Sequence, residues 1–447
     1  MSYSETVNYL YNLQKHGIKF GLDNIIRLMS VLDNPHKSFL SVHVTGTNGK
    51  GSTSAIIASI LKTAGLRVGL FTSPHLVSFT ERVRINDEEI TEDEVVGLTE
   101  EIREKSLKLK ARSSDFSPTF FEVVTAMAFM YFKRGKIDIA IIEVGMGGRL
   151  DATNIIIPEV SVITSISYDH KEFLGNTLKE IANEKAGIIK DGIPVVISSQ
   201  YPDVLKLIEV KAEGKNTKVY LYGRDFSSVL RREDLSGIHF DYWSKDSFTI
   251  HDLHLPLIGE HQMQNASVAI KTVELINTRY SLLVTSHFIR EGLENVRWPG
   301  RLEIIKEDPP ILIDGAHNPA AAEVLSKALK KNFLRKYKRI ILVLGIMGDK
   351  DIRGIMDPLL PLASEVILTS PAYSRSASPY KLVDIAASLG FSDVRTAPTV
   401  MDAIEMAKNS SLITHHSSLI VVTGSFYTIG EAKEAIGQKG VLARLRE

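Results

Sequence analysis

The sequence predicts an α/β protein: a P-loop-type parallel sheet with a small antiparallel β appendage, followed by a second, Rossmann-like α/β unit. Three observations predict it. Two continuous apolar runs, IDIAIIEVG (137–145) and VSVITSIS (160–167), have the length and composition of parallel strands covered on both faces. The stretch SVHVTGTNGKGSTSAIIASILKTAG (41–65) joins a β-prone run to a helical pattern through a glycine-rich turn. Pro299 and Gly300 in RWPGR then break the chain, and a second β-α alternation follows. The units so marked are residues 1–298 and 299–447.

Composition narrows the function classes. The chain of 447 residues is long enough for two or three domains with their own cores. Lysine plus arginine equals aspartate plus glutamate at 53 each, so no global field draws it to nucleic acid or an anionic membrane. There is no cysteine, which excludes disulfides, thiol nucleophiles and thiolate metal sites and suits a reducing cytoplasm. The N-terminus lacks the pattern of a signal peptide, and no apolar run approaches the ~18 residues of a membrane span.

Taken in order, residues 4–33 read as two short helices broken at His16–Gly17. Val42 and Val44 belong to a strand, and Ile56, Ile57, Ile60, Leu61 and Ala64 form one stripe of the helix after the glycine turn. LRVGLFTSPH (66–75) reads as a strand ending in a polar turn, and FTERVRINDEEI as a hairpin turning at Asn86–Asp87. Residues 92–110 are helical. Thr119 and Glu122 form a capping box for a helix that is apolar on nearly every side. Helix 177–190 and strand 194–198 continue the alternation. Residues 215–258 read as short β segments of the antiparallel appendage, and helix returns after Gly259. Beyond the break, strands 311–314, 340–345, 364–369 and 418–423 and helix 319–332 build the second unit.

The glycine turn carries Gly46, Gly49 and Gly51 around Lys50, with Ser52 and Thr53 at the helix start. A strand–glycine loop–helix unit points backbone N–H groups and a helix N-terminus at an anion. Lys50 adds a point charge for terminal phosphates, and Ser52 or Thr53 a hydroxyl for Mg²⁺, so the stretch predicts an ATP site. The competing reading is a plain strand-to-helix turn with a solvated lysine, and the spacing GxxxxGK[ST] is absent. Glu143 ends the apolar run IDIAIIE (137–143), where P-loop enzymes place a Mg²⁺-binding acid, unless it pairs with Arg149. His170 follows strand 160–167, although Mg²⁺ prefers oxygen to imidazole. Lys185 shares a helical face with Leu178, Ile181, Ala182 and Ile189, so it either faces the interior or snorkels outward. Buried, its amine is partly neutral and can add CO₂ to become a carbamate, an oxygen ligand for Mg²⁺. In ILIDGAHNPAAAEVL, Asp314, His317 and Asn318 stand between a strand and a helix opening at Pro319, as ligand contacts or as caps.

GTNGKGS, FTSPHL, TFFE, EVGMGGRLDATN, SYDH, EKAGIIK, WPGR, DGAHNP and TGSFYT occur in the order seen in the bacterial folylpolyglutamate synthase/dihydrofolate synthase family of the Mur ligase superfamily. The chain resembles that family from about residue 20 to 430. The resemblance implies an ATP-dependent ligase that adds L-glutamate to dihydropteroate and to reduced folates through an acyl phosphate. It implies that Thr47, Asn48, Gly49, Lys50, Gly51, Ser52 and Thr53 hold the ATP phosphates, with Asn265, Arg301 and Asp314 as further nucleotide contacts. Ser52, Glu143, His170 and carbamylated Lys185 are implied as ligands for two Mg²⁺ ions. Ser73, His75, Phe121, Leu150, Asp151 and Ala152 are implied on the pterin/folate side, and His317 and Ser425 on the glutamate side. Lys50, Lys185 and His317 are implied in the catalytic roles, and the implied partners are small molecules alone, met by a cytoplasmic monomer. The competing readings are a monofunctional folylpolyglutamate synthase, another Mur-type amino-acid ligase, and a nucleotide-binding regulator without catalysis.

Overall fold

A computed structural model of the chain describes residues 1–13, 21–245, 248–280, 284–413 and 418–437. The predicted break at His16–Gly17 lies outside them. The first sheet comprises β1 (Leu40–Thr45), β2 (Val68–Phe71), β3 (Val83–Ile85), β4 (Glu88–Glu89), β5 (Ile139–Glu143), β6 (Val160–Ile163), β7 (Val195–Ile197) and β8 (Val219–Leu221). Their order is β4-β3-β2-β5-β1-β6-β7-β8, parallel except for the β2–β3 and β3–β4 pairings. β5 and β6 are buried along their whole length and β1 beyond Leu40, which is why their sequences run Val and Ile with little alternation. The chain leaves β1 for one side of the sheet and later returns to the other at β6. The crevice at the C-terminal ends of β5, β1 and β6 is therefore a topological switch point.

The helix Lys50–Thr63 differs from the one-stripe expectation. Residues 51–61 are all buried, because the helix lies between the sheet and two later helices, Glu260–Tyr280 and Ser286–Glu294. Its contact with the last of these is very close at Gly292, where a Cβ would stand 2.6 Å from Ile60 Cα, and Ser59 Oγ donates to the Gly292 carbonyl at 2.6 Å.

Two further expectations are corrected. KVYLYG does not join the antiparallel appendage: its strand β8 pairs in parallel with β7 at the sheet edge. The appendage is three-stranded, with β9 (Phe226–Asp234), β10 (Gly237–Ser244) and β11 (Thr249–Leu255) in order β11-β10-β9. Helix 177–190 stops at Lys185 and continues as one 3-10 turn, Ala186–Ile188. There the chain packs on the loop before it, since a Cβ on Gly187 would lie 2.5 Å from Arg149 Cα. The capping boxes Thr119–Glu122 and Thr177–Glu180 both form.

The second sheet contains β12 (Glu303–Glu307), β13 (Pro310–Ile313), β14 (Arg339–Leu344), β15 (Glu365–Leu368), β16 (Arg395–Thr396) and β17 (Ser418–Thr423). The order is β12-β13-β17-β14-β15-β16, with only β12 antiparallel. Separate apolar clusters cover its two faces. The predicted helix 319–332 runs as Pro319–Ala328 and ends in a π-helical turn. No helix among the described residues is long and apolar enough to cross a membrane.

Gly292→Ala is expected to push the helix Ser286–Glu294 off the Lys50–Thr63 helix and to cost about 1–3 kcal/mol through overpacking. Chemical denaturation checks this. A midpoint equal to that of the parent protein would mean that the two helices separate freely.

Candidate active site

The glycine turn is bent by its glycines. Gly46 and Gly49 have φ of 149° and 89°, and a Cβ on Gly46 would collide with Thr164. Thr47 and Asn48 donate their N–H groups to the Ser165 carbonyl, which ties the turn to the loop after β6. The helix then begins at Lys50, so the N-terminal N–H groups open on the crevice. Lys50 Nζ donates to the Thr47 carbonyl at 3.3 Å and stands 3.9 Å from Glu143 Oε1. Glu143, at the tip of β5, is buried, and its other oxygen accepts from the Ser73 N–H at 3.2 Å. Burial raises its carboxyl above the usual range, with Lys50 and the Ser73 N–H offsetting part of the effect. Arg149 pairs instead with Glu184.

Lys185 is buried, as its helical face implied, although it ends its helix. Its Nζ donates to the Gly46 carbonyl at 2.7 Å. Desolvation and the nearby charge of Lys50 bring this amine down to about 7. Lys179 and Lys190, off that face, pair with Asp203 and the Asn154 carbonyl.

Asp151 caps the turn Ala152–Ile155. Its oxygens accept from the Thr153 N–H at 3.0 Å, from the Thr153 hydroxyl, and from the Met146 N–H at 2.9 Å. It also lines the cleft with Phe121, Leu150 and Ala152.

The opposite wall comes from the second sheet. Asp314 follows β13 and accepts from the N–H groups of Leu302 and Ala316, and burial raises its carboxyl despite Arg301. Arg301 stacks over Phe426, 4.9 Å from the ring centroid. Asn318 caps the helix at Pro319. Ser425 caps the helix Phe426–Ala435 through the Thr428 N–H at 3.0 Å. The capping reading of Asn318 thus holds, Ser425 is a cap that the sequence did not indicate, and both residues lie at the cleft end of the sheet.

Sequence reasoning missed the residue that joins the walls. Asp169, its side chain 8% exposed, meets Lys350 Nζ at 2.7 Å, His317 Nε2 at 3.4 Å and Asn318 Nδ2 at 3.3 Å. Burial alone would raise this carboxyl, but the His317 contact and the charge of Lys350 hold it well below the usual range. Asn48 and Asn318 exchange side-chain hydrogen bonds at 3.3 and 3.0 Å across the same seam. The signal was present in SYDH and GIMGDKD, but nothing local said that Asp169 and Lys350 meet.

Together these groups enclose a cleft of about 1040 Å³, room for a nucleotide and a second ligand. Of the predicted residues, Thr53 and His75 do not line it. Thr53 is turned into the core, and His75 lies behind Arg82, which takes its place on the wall. Among the described residues no three His, Asp or Glu side chains converge to hold a metal. Glu143, a buried acid whose nearest cation is Lys50 at 3.9 Å, and the Ser52 hydroxyl fit a hard cation whose remaining ligands are oxygens from a phosphate or a carbamate. His170 is more than a third exposed and lies 3.9 Å from Asp169.

Residues 44–273 match the Mur ligase middle domain, and residues 300–426 the Mur ligase glutamate ligase domain. The chain is 35% identical to the dihydrofolate synthase/folylpolyglutamate synthase of Bacillus subtilis over 97% of its length and 99% of that protein. The chain belongs to the folylpolyglutamate synthase/dihydrofolate synthase family of Mur ligases. It is 36% identical to the folylpolyglutamate synthase of Lacticaseibacillus casei, over 98% and 99% of the two chains. Its fold matches Mycobacterium tuberculosis folylpolyglutamate synthase complexed with ADP at a TM-score of 0.90, with 32% identity and coverage of 98% and 100%. The family's α/β architecture is the one described above.

The low value of Lys185 has a stability consequence. In unfolded chain its amine titrates near 10.5, so the folded state is penalised at every pH below about 7. The penalty fades as pH rises toward the unfolded value. Lys185→Met is therefore expected to raise the melting temperature at pH 7 in CO₂-free buffer. The gain should shrink toward pH 10, and a gain independent of pH would contradict the burial of a titrating amine.

Proposed function

We propose that this chain is an ATP-dependent ligase that adds L-glutamate to dihydropteroate and to reduced folates through an acyl phosphate. One observation carries the reading. A single cleft places the phosphate turn between a pocket of Phe121, Leu150, Asp151 and Ala152 and a polar wall of Arg301, Asp314 and His317. Residues 1–298 serve as the ATP-binding unit and 299–447 as the glutamate-ligase unit of a cytoplasmic monomer.

In this reading the substrate carboxylate attacks the γ-phosphorus of ATP and ADP leaves. The glutamate amine then attacks the acyl carbon, phosphate leaves and an amide forms. Thr47, Asn48, Gly49, Lys50, Gly51 and Ser52 hold the phosphates, and Lys50 balances charge that develops on the transferred group. Asn265, which packs on Gly49, joins Arg301 and Asp314 on the nucleotide. Mg²⁺, held by Ser52, Glu143, His170 and carbamylated Lys185, would supply charge neutralisation at the phosphates. The amine of Lys185 forms that carbamate by adding CO₂ and releasing a proton. His317 and Ser425 meet the incoming glutamate, and closure of the two walls keeps water from the acyl phosphate. Asp151 faces the ring N–H and exocyclic amine of the pterin.

A second reading is a folylpolyglutamate synthase alone. It is favoured by the loop donors that already occupy both Asp151 oxygens.

ADP release by the purified enzyme, with ATP, Mg²⁺ and glutamate, is expected with either dihydropteroate or tetrahydrofolate and with neither omitted substrate. Turnover of tetrahydrofolate alone would overturn the dihydrofolate synthase half. Asp151→Asn replaces an acceptor with a donor and should cost about 1–3 kcal/mol in kcat/KM, mainly with dihydropteroate. For the carbamate, ¹³CO₂ labelling should give a carbamate carbon resonance that Lys185→Arg lacks, and active enzyme without that resonance would remove the proposal.

A further inference from the structure

One cation of the cleft has no counter-ion among the described residues. Arg82 ends the 3-10 turn Phe79–Arg82 between β2 and β3, is 7% exposed, and lines the cleft with Ser73, Phe120 and Tyr427. Its Nε donates to His75 Nδ1 at 2.7 Å, and its guanidinium lies 5.4 Å from the centroid of the Phe120 ring. An imidazole that accepts at Nδ1 carries its proton on Nε2, here facing Tyr11 Oη at 3.1 Å, so His75 is uncharged and balances nothing.

The two acids whose charge reaches Arg82 are committed elsewhere. Glu81 accepts from the N–H groups of Leu76, Val77 and Ser78, each at 2.7 Å. Glu143 accepts from the Ser73 N–H and faces Lys50. Neither Nη of Arg82 has a hydrogen-bond partner among the described residues. Burial pulls the guanidinium below its usual value, and Tyr11, Tyr427, Glu81 and Glu143 only partly offset this. A desolvated fork of donors in a ligand cleft, with no anion of its own, calls for an anion from the ligand.

We propose that Arg82 binds the α-carboxylate of the terminal glutamyl residue of a folate substrate and so sets the enzyme's affinity for pteroylglutamates apart from that for pteroates. The inference rests on the ligase reading above. The reacting carboxylate must lie by the phosphate turn and Glu143, and Arg82 is held next to that point: the Thr72 N–H donates to its carbonyl at 3.0 Å, and Ser73 binds Glu143. In a folate the reacting group is the γ-carboxylate, and the α-carboxylate of the same glutamyl unit stays free beside it. Dihydropteroate has one carboxylate only, the one that reacts, and so offers Arg82 no ligand. The planar fork of arginine suits a bidentate carboxylate contact that an ammonium does not reproduce.

The test is steady-state kinetics of Arg82→Met with dihydropteroate and with tetrahydrofolate monoglutamate, together with the melting temperature of the ligand-free protein. KM for tetrahydrofolate should rise roughly ten- to a hundredfold, while those for dihydropteroate and glutamate stay within about twofold, because only the folate loses a charge-assisted contact. The melting temperature should rise, since an apolar side chain replaces an unpaired buried charge. Arg82→Lys should recover only part of the folate affinity. Equal losses on both substrates, a raised KM for glutamate, or an unchanged KM for tetrahydrofolate would each overturn the proposal. If Arg82→Met does not fold, Arg82→Gln, which keeps an N–H for His75, carries the same comparison. If the parent enzyme turns over only one of the two substrates, that half of the ligase reading fails, and if it turns over neither, the whole reading fails. Calorimetric binding of tetrahydrofolate and dihydropteroate to parent and variant then decides the role of Arg82 by the same differential.

Discussion

The buried carboxylate of Asp169 is the contact on which the geometry of the cleft depends. It stands on the loop after β6, in the first sheet, while Lys350, His317 and Asn318 reach it from loops at the edge of the second. An anion so little exposed is strongly unfavourable without partners, and each partner is itself held by its own loop. Net stability from such a pair is small against an apolar replacement, but a misplaced partner is expensive. The contact therefore specifies how the walls face each other more than how strongly they adhere. The Asn48–Asn318 exchange sets the same register from the phosphate turn, with both amides satisfied only when the walls meet in this way.

Behind the turn, the remaining parts of the site form one connected body. Thr45 Oγ1 donates to the Gly147 carbonyl, Thr164 Oγ1 to the Thr45 carbonyl, and Lys185 Nζ to the Gly46 carbonyl. The phosphate turn, the loop that carries Asp151 and the helix end at Lys185 are thus linked by buried hydrogen bonds within one sheet edge. In the proposed reaction, a group placed against the Asp151 loop would have a fixed distance to a phosphate on the turn, which is what an acyl transfer between two bound molecules requires. The electrostatics follow from the same burial. Glu143, Asp151 and Asp314 are raised and Lys185 lowered because the cleft removes water from charges that only ligands can balance in full.

Much of this was legible along the chain. The strands of both sheets, the capping boxes and the glycine turn are local patterns, and local patterns survive folding when the tertiary context agrees with them. Lys185 shows the same logic, since its place on an apolar face is a statement about burial. The misses are of another kind. β8 has the alternation of an antiparallel strand but lies at a parallel edge, and the Lys50–Thr63 helix shows a stripe although the sheet and the helices of residues 260–294 together bury residues 51–61.

The sequence by itself determined the α/β class, the glycine turn, the strand-tip acid and the interior lysine, because each depends on spacing within a few residues. Only the tertiary structure decided that Asp169 meets Lys350, that Arg82 and not His75 faces the cleft, and that Asp151 caps its own loop. Those facts depend on contacts between distant segments, and a side chain's partner across a cleft leaves no periodic trace in the chain that carries it.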